Sequence, residues 1–156
     1  METVEFNGWV LEVDRTATEA AYAAVATAST AECGCADCLR FEANRLDLLH
    51  PAALALFDQL GIDTAKEVEV MNFGPDHDGR DIWDWLYHFV GRLVAVPDGA
   101  ESNGVTAFTP LSDDFSFGFT SQVSLVGEPF RERGPLVQAE CFFYEDNARK
   151  PEDKAT

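Results

Sequence analysis

Three cysteines fall close together in Cys33-Gly34-Cys35-Ala36-Asp37-Cys38, a C-x-C-x-x-C run directly ahead of a helical pattern. Sulfurs this near along a chain can reach one metal ion, because a flexible turn at Gly34 folds the loop back on itself. The start of the next helix adds amide N–H groups and a positive dipole end, and both favour thiolates. Soft thiolates select zinc, copper(I) or an iron–sulfur cluster over magnesium or calcium. The expected cofactor is structural zinc, with an iron–sulfur cluster or no metal as alternatives. The same cysteines suit a thiol redox enzyme or sensor, since C-x-C and C-x-x-C pairs can both close disulfides. In that case Cys38, in the first turn of the expected helix, is the thiol expected to ionise most readily. The plainest reading is three free thiols in a turn.

A structural zinc ion needs four ligands, at about 2.1–2.3 Å. Candidates for the fourth are Cys141, His88, His77, His50 and, behind them, Asp37. No local spacing selects one of them. Cys141 shares a strand face with Val137, Ala139 and Phe143 and reads as a small buried hydrophobe. His88 lies between Leu86 and Val90 on its own face, the setting of a satisfied, partly buried histidine. His77, flanked by Asp76 and Asp78, reads as an exposed turn residue. His50, ahead of Pro51, is expected to place a cation against the C-terminal end of the preceding helix.

Other chemistry has little support. The row Trp83, Trp85, Tyr87, Phe89 would be a stacking platform if exposed, but helices elsewhere in the chain need a sheet face to cover, so burial is expected. Phe115, Phe117 and Phe119 are read the same way. Carboxylates, including Asp113-Asp114 and Glu67/Glu69, are too abundant for any pair to be informative. No G-x-S-x-G, P-loop, G-x-G-x-x-G or H-E-x-x-H run is present. No catalytic residue is assigned, and the chain is expected not to be an enzyme.

The chain has 156 residues, with 11 Lys+Arg against 28 Asp+Glu and a formal charge of −17. Such a field repels phosphates and anionic membrane faces, which argues against sequence-independent nucleic-acid binding and membrane association. It favours a basic protein partner, so an acidic binding or neutralising module is a further alternative. An aromatic fraction of 12% speaks for a packed core. No run of about eighteen apolar residues occurs. The acidic start Met1-Glu2-Thr3-Val4-Glu5 lacks the features of a secretory leader. With the cysteines clustered instead of spread as staples, a reducing cytoplasm is expected.

The elements that would position the loop follow from periodicity. Val4 to Asp14 reads as a strand, bulged or bent at Gly8. Thr16 or Thr18 can cap a short helix through Tyr22, with Glu19 completing a capping box; Ala23 to Thr30 extends that helix or loops. Ala36 to Leu49 reads as a helix with Leu39, Ala43 and Leu46 on one stripe, widened by Phe41, Leu48 and Leu49. His50-Pro51 starts another, with Ala53, Leu56, Phe57 and Leu60 at helical spacing and Gly61 as its left-handed cap. Glu67 to Val70 alternates, 74–79 is a turn, and Ile82 to Val96 is a long strand. Further strands are expected at 105–109, 115–119 and 136–144. The expected fold is α+β: one domain over 1–146, a helix pair packed on a mostly antiparallel β-sheet, with a frayed polar tail at 147–156.

The cysteine loop, Arg40-Phe41, Arg45, Leu60-Gly61-Ile62-Asp63, Glu67-Val68-Glu69-Val70 and Tyr87-His88-Phe89-Val90-Gly91 together resemble a group of small bacterial proteins. Those carry C-x-C-x-x-C before a helix and a W-x-H-F-V-G strand. The resemblance covers about Phe6 to Leu93. It implies a shared fold and no particular activity. By that resemblance His88 and the three clustered cysteines match recurring positions; taken with the thiolate reading of the loop, the expected metal ligands are Cys33, Cys35, Cys38 and His88. The chain departs from the group at Ile82-Trp83-Asp84-Trp85, where a Gly-Gly-Trp start is usual, and at Tyr144-Glu145-Asp146, where a Pro-Trp segment is usual.

Overall fold

A computed structural model describes residues 1–146, so the expected tail at 147–156 lies outside the described residues. The chain begins with a hairpin, β1 (Glu2–Phe6) and β2 (Trp9–Val13), paired from Glu2↔Val13 to Phe6↔Trp9. This replaces the single strand expected here. Asn7 and Gly8 both take positive φ (46° and 88°), the backbone that a two-residue hairpin turn requires, so the chain reverses at Gly8.

Helix α1 (Arg15–Ala24) is capped by Asp14, whose side chain accepts from the Ala17 N–H at 3.0 Å. Neither threonine caps it. Thr18 is buried, donates to the Asp14 carbonyl at 2.9 Å and accepts from Val90 N–H at 3.0 Å. The Ala23–Thr30 stretch divides: α1 ends at Ala24, and a one-turn helix α2 (Ser29–Cys33) begins five residues on. Then come α3 (Ala36–Leu48) and α4 (Pro51–Gln59), with Gly61 at φ +79° just beyond.

The regular elements of the described residues after α4 are strands: β3 (Glu69–Pro75), β4 (Asp81–Ala95), β5 (Glu101–Ser102), β6 (Ala107–Pro110), β7 (Phe115–Thr120) and β8 (Leu136–Glu145), with a short 3-10 turn at Glu128–Phe130 before β8. Pairing is antiparallel throughout, in the order β1-β2-β4-β8-β7-β6-β5, with β3 beside the first half of β4. The fold is α+β, as expected. Glu145 belongs to the last strand and is buried.

The sheet curls until strands far apart in its order touch. Trp9 of β2 meets Phe119 of β7 with ring centres 5.0 Å apart, and its indole N–H donates to Thr109 of β6 at 2.9 Å. The helices close the same hollow: Phe41 of α3 packs edge-on against Trp85 at 5.1 Å, and Phe57 of α4 against Tyr87 at 5.6 Å. Trp83, Trp85, Tyr87, Phe89, Phe115, Phe117 and Phe119 are all buried, so the aromatic row is core. Cys141 lies opposite Trp85 and Phe117 in that core and is fully buried, a small hydrophobe as read.

The stripe expected to face the core on α3 does not. Leu39 is 56% and Leu46 70% exposed, and Ala43 is exposed too. The helix turns Cys38, Phe41, Arg45 and Leu48 inward instead, at spacings of three, four and three. Phe41 offers far more apolar area than a leucine, and the buried partner of Arg45 lies on that side. A spacing of three and four is common to both stripes, so periodicity alone could not choose between them.

Candidate metal centre

The cysteine loop is the junction of two helix ends. Cys33 closes α2, and Gly34 takes the left-handed conformation (φ 68°), its N–H returning to the Thr30 carbonyl at 3.2 Å. A non-glycine residue is strained there, which gives the C-x-C spacing its central glycine. Cys35 is then extended (φ −71°, ψ 169°) and acts as the N-cap of α3, its Sγ accepting the Cys38 N–H at 3.4 Å. Cys38 sits in the first turn. The Sγ atoms of Cys33, Cys35 and Cys38 all lie within 4.8 Å of one another, Cys33 and Cys35 exposed and Cys38 buried.

Buried ion pairs hold the two helices in this arrangement. Glu67 is buried; one of its carboxylate oxygens accepts from Thr30 of α2 at 2.7 Å, the other from Arg45 of α3 at 2.7 and 3.0 Å. Arg45 also reaches Thr30 at 3.3 Å, and Ser29 N–H donates to the Glu67 carbonyl at 3.3 Å. Five residues earlier on α3, Arg40 pairs with Asp81 at 3.0 Å and Glu145 at 3.3 Å and stacks over Trp83 at 4.8 Å. The expected β-alternation at Glu67 therefore gives way: β3 starts at Glu69, and Glu67 is the anchor of the loop.

The electrostatics of the cluster reverse one expectation. Cys35, not Cys38, is the thiol that ionises more readily: the Cys38 N–H donates to it, and the thiols of Cys33 and Cys38 point hydrogens at it. The Cys38 thiol is pushed up to about 12, first by burial, then by hydrogen bonding to the other two sulfurs and their charge. Position in a first helical turn favours a thiolate only where the sulfur is not also desolvated.

None of the proposed fourth ligands joins this cluster; among the described residues the close group is the three cysteines alone. His88 sits on β4 with its side chain on the face opposite the aromatic row that α3 covers, so the sheet stands between it and the loop. The ring is buried, with Nε2 3.4 Å from Gln138 Oε1, its edge toward Phe130 at 5.9 Å, and Nδ1 without a hydrogen-bond partner. Burial holds its pKa below the ordinary histidine value. Cys141 is in the core, where burial drives its thiol well above the usual range. His77 is exposed, with Nε2 3.5 Å from Asp78. His50 serves the next helix instead of the end of α3: its Nδ1 accepts the Ala52 N–H at 3.0 Å, making it the N-cap of α4. Asp37 stands within the loop, 3.4 Å from Asn72 Nδ2.

A second polar centre on the far face of the sheet gives no sign in the sequence. Asp84 of β4 and Glu140 of β8 are both buried, and Thr106 donates to Glu140 at 3.3 Å. Burial, then the charges of Glu140 and Glu69, pushes the Asp84 carboxyl up to about 9, so it holds its proton at neutral pH. Its Oδ1 has no hydrogen-bond partner. Adjacent strands bring these acids together at a register that no local spacing encodes.

No protein-family model matches the chain, and neither a curated protein nor a solved structure matches it significantly. What the fold and the loop define is an α+β protein with three cysteines at metal-binding distance. Among the described residues no helix is long and apolar enough to cross a membrane.

Proposed function

We propose that Cys33, Cys35 and Cys38 bind one zinc ion, which fastens the end of α2 to the start of α3 in a protein without catalytic activity. The observation that carries this is the convergence of three sulfur atoms within 4.8 Å on a backbone already closed by Gly34 and the Cys35 cap. Tetrahedral zinc with thiolates at about 2.3 Å sets its sulfurs about 3.8 Å apart, so side-chain rotation alone completes the approach. Two of the sulfurs are exposed, so the fourth position faces outward and takes water or a donor from outside the chain. An iron–sulfur cluster asks for four cysteine ligands and suits this loop less well. Zinc replaces the thiol protons, and uptake therefore releases acid. The experiment is metal analysis of protein purified without added metal. About one zinc per chain, lost on Cys35→Ser, is expected; below about 0.2 per chain with freely titratable thiols, the reading fails.

A second reading draws on one feature: exposed Cys35 lies against buried Cys38. An accessible sulfur backed by a sheltered one suits dithiol exchange. Cys35 would attack a small disulfide such as oxidised glutathione, expelling one glutathione thiolate. Cys38 would then attack the mixed disulfide, expelling the second and closing Cys35–Cys38, so the protein is oxidised and the small disulfide reduced. Loss of two hydrogens by mass, mapped to that pair after such treatment, supports this reading. Persistent mixed disulfides at Cys33 or Cys35 alone count against it.

A further inference from the structure

The outer side of α3 carries both an unpartnered apolar stripe and the open side of the sulfur cluster. At about 100° per residue, Leu39, Ala43 and Leu46 fall within about 60° of arc, and Cys35 at the N-cap extends the same side of the helix to about 80°. Leu39, at 56% exposure, and Leu46, at 70%, project away from the fold. From Cys35 to Leu46 the stripe runs about 16 Å, two to three turns of a facing helix.

Charge on this side has one sign. Both arginines of α3 turn inward, Arg45 onto Glu67 and Arg40 onto Asp81 and Glu145. The exposed charged residues of α3 that flank the stripe are Glu42 and Asp47, about 60° and 80° around the helix from Leu39, with Glu32 exposed on α2 just before the loop; Asp37 lies on the other side, against Asn72. A second copy of a chain with a formal charge of −17 would bring like charge against like. A basic amphipathic helix meets both features, its apolar side on the leucines and its cations on the flanking carboxylates.

Two leucines and an alanine cover too little surface for a stable complex, which takes about 1,200 Å² or more. A second attachment is needed, and the outward-facing fourth position of the zinc site adjoins the stripe. We propose that α3 docks a basic amphipathic helical segment of a partner protein, and that this segment supplies a histidine or cysteine as the fourth zinc ligand. The inference rests on the zinc reading above.

The probe is a synthetic helical peptide with leucines at i, i+3, i+4 and i+7, lysines on its other face and one terminal histidine, titrated into the whole protein. Zinc-loaded protein is expected to bind it about tenfold or more tighter than chelator-treated protein. Added salt should weaken binding. With cobalt in place of zinc, the visible bands should shift as imidazole displaces water. The Leu39→Asp/Leu46→Asp variant should keep its cobalt bands and lose the peptide. Equal affinity for a peptide with His→Ala, or for one with glutamates in place of the lysines, overturns the proposal. So does indifference to the two leucine substitutions, or a zinc-dependent dimer of the protein alone, which would make a second copy the occupant. A chain that takes up cobalt on its thiolates yet ignores the peptide sinks this inference only; one that takes up no cobalt sinks the zinc reading with it.

Discussion

The two faces of the central sheet treat buried acids in opposite ways. On the helix side, Glu67, Asp81 and Glu145 each meet an arginine from α3, and both oxygens of Glu67 are bonded. On the far side, Asp84 meets Glu140, another acid, with Glu69 near enough to add repulsion, and it keeps its proton to about pH 9. With 11 Lys+Arg against 28 Asp+Glu, the chain cannot match every acid to a cation. Where arginine is present the carboxylate stays charged and ties elements together. Where it is absent, burial selects the neutral acid. The cysteine loop stands on the matched side, and the ion pairs there are what hold its two helices in place.

The largest expected effect comes from breaking the matched side. Arg45→Leu leaves Glu67 buried without its cation, and unfolding in urea should show a loss of about 3–5 kcal/mol. Zinc uptake should weaken in the same variant, since α2 loses its tie to α3. Arg45→Leu with Glu67→Leu should recover much of the loss; if the single variant is as stable as the parent, the contrast between the faces is void.

The far side should respond with the opposite sign. The folded-state pKa of Asp84 is raised to about 9, against about 3.9 in an unfolded chain. The folded state then holds a proton that the unfolded state releases. The stability this gives is complete below about pH 4 and falls away as pH rises toward 9. Asp84→Asn should remove that slope: between pH 5 and pH 8 the parent should lose about 4 kcal/mol in urea titrations that the variant keeps. A parent protein whose stability is flat or rising between those pH values contradicts the assignment.

A smaller effect is expected at the loop. Gly34→Ala must hold a left-handed backbone at a cost of about 1 kcal/mol, with no clash to add to it, since nothing beyond its chain neighbours lies within 4 Å of the new Cβ. Its metal affinity should fall alongside. The smallest effect belongs to the outer stripe: Leu39→Asp and Leu46→Asp should each change stability by less than about 0.5 kcal/mol. A loss comparable to that expected for Phe41→Ala, about 3–5 kcal/mol, would mean that the helix is turned the other way.

The sequence showed α+β order, the helices α3 and α4, the long aromatic strand and the thiol cluster, because each is written in local spacing or composition. It reads as one strand where there is a hairpin: Gly8 alone fits a bulge, whereas Asn7-Gly8 together are the two-residue reversal signal. On α3 it rightly read Phe41, Leu48 and Leu49 as inward but centred the face on Leu39, Ala43 and Leu46, which are exposed, because both stripes repeat every three and four residues. It named Cys38 as the readily ionised thiol, because helix position is visible in a sequence and desolvation is not.

What the amino-acid order determined by itself was which residues are neighbours along a turn: three sulfurs around Gly34, a cap at Cys35, an alternating strand of rings. Tertiary structure alone decided who meets whom across the fold. Arg45 reaches Glu67, Asp84 faces Glu140, and His88 lies beyond the sheet from the cysteines. Those pairings depend on strand register and helix rotation, which arise from the packing of the whole core and leave no trace in any short window of residues.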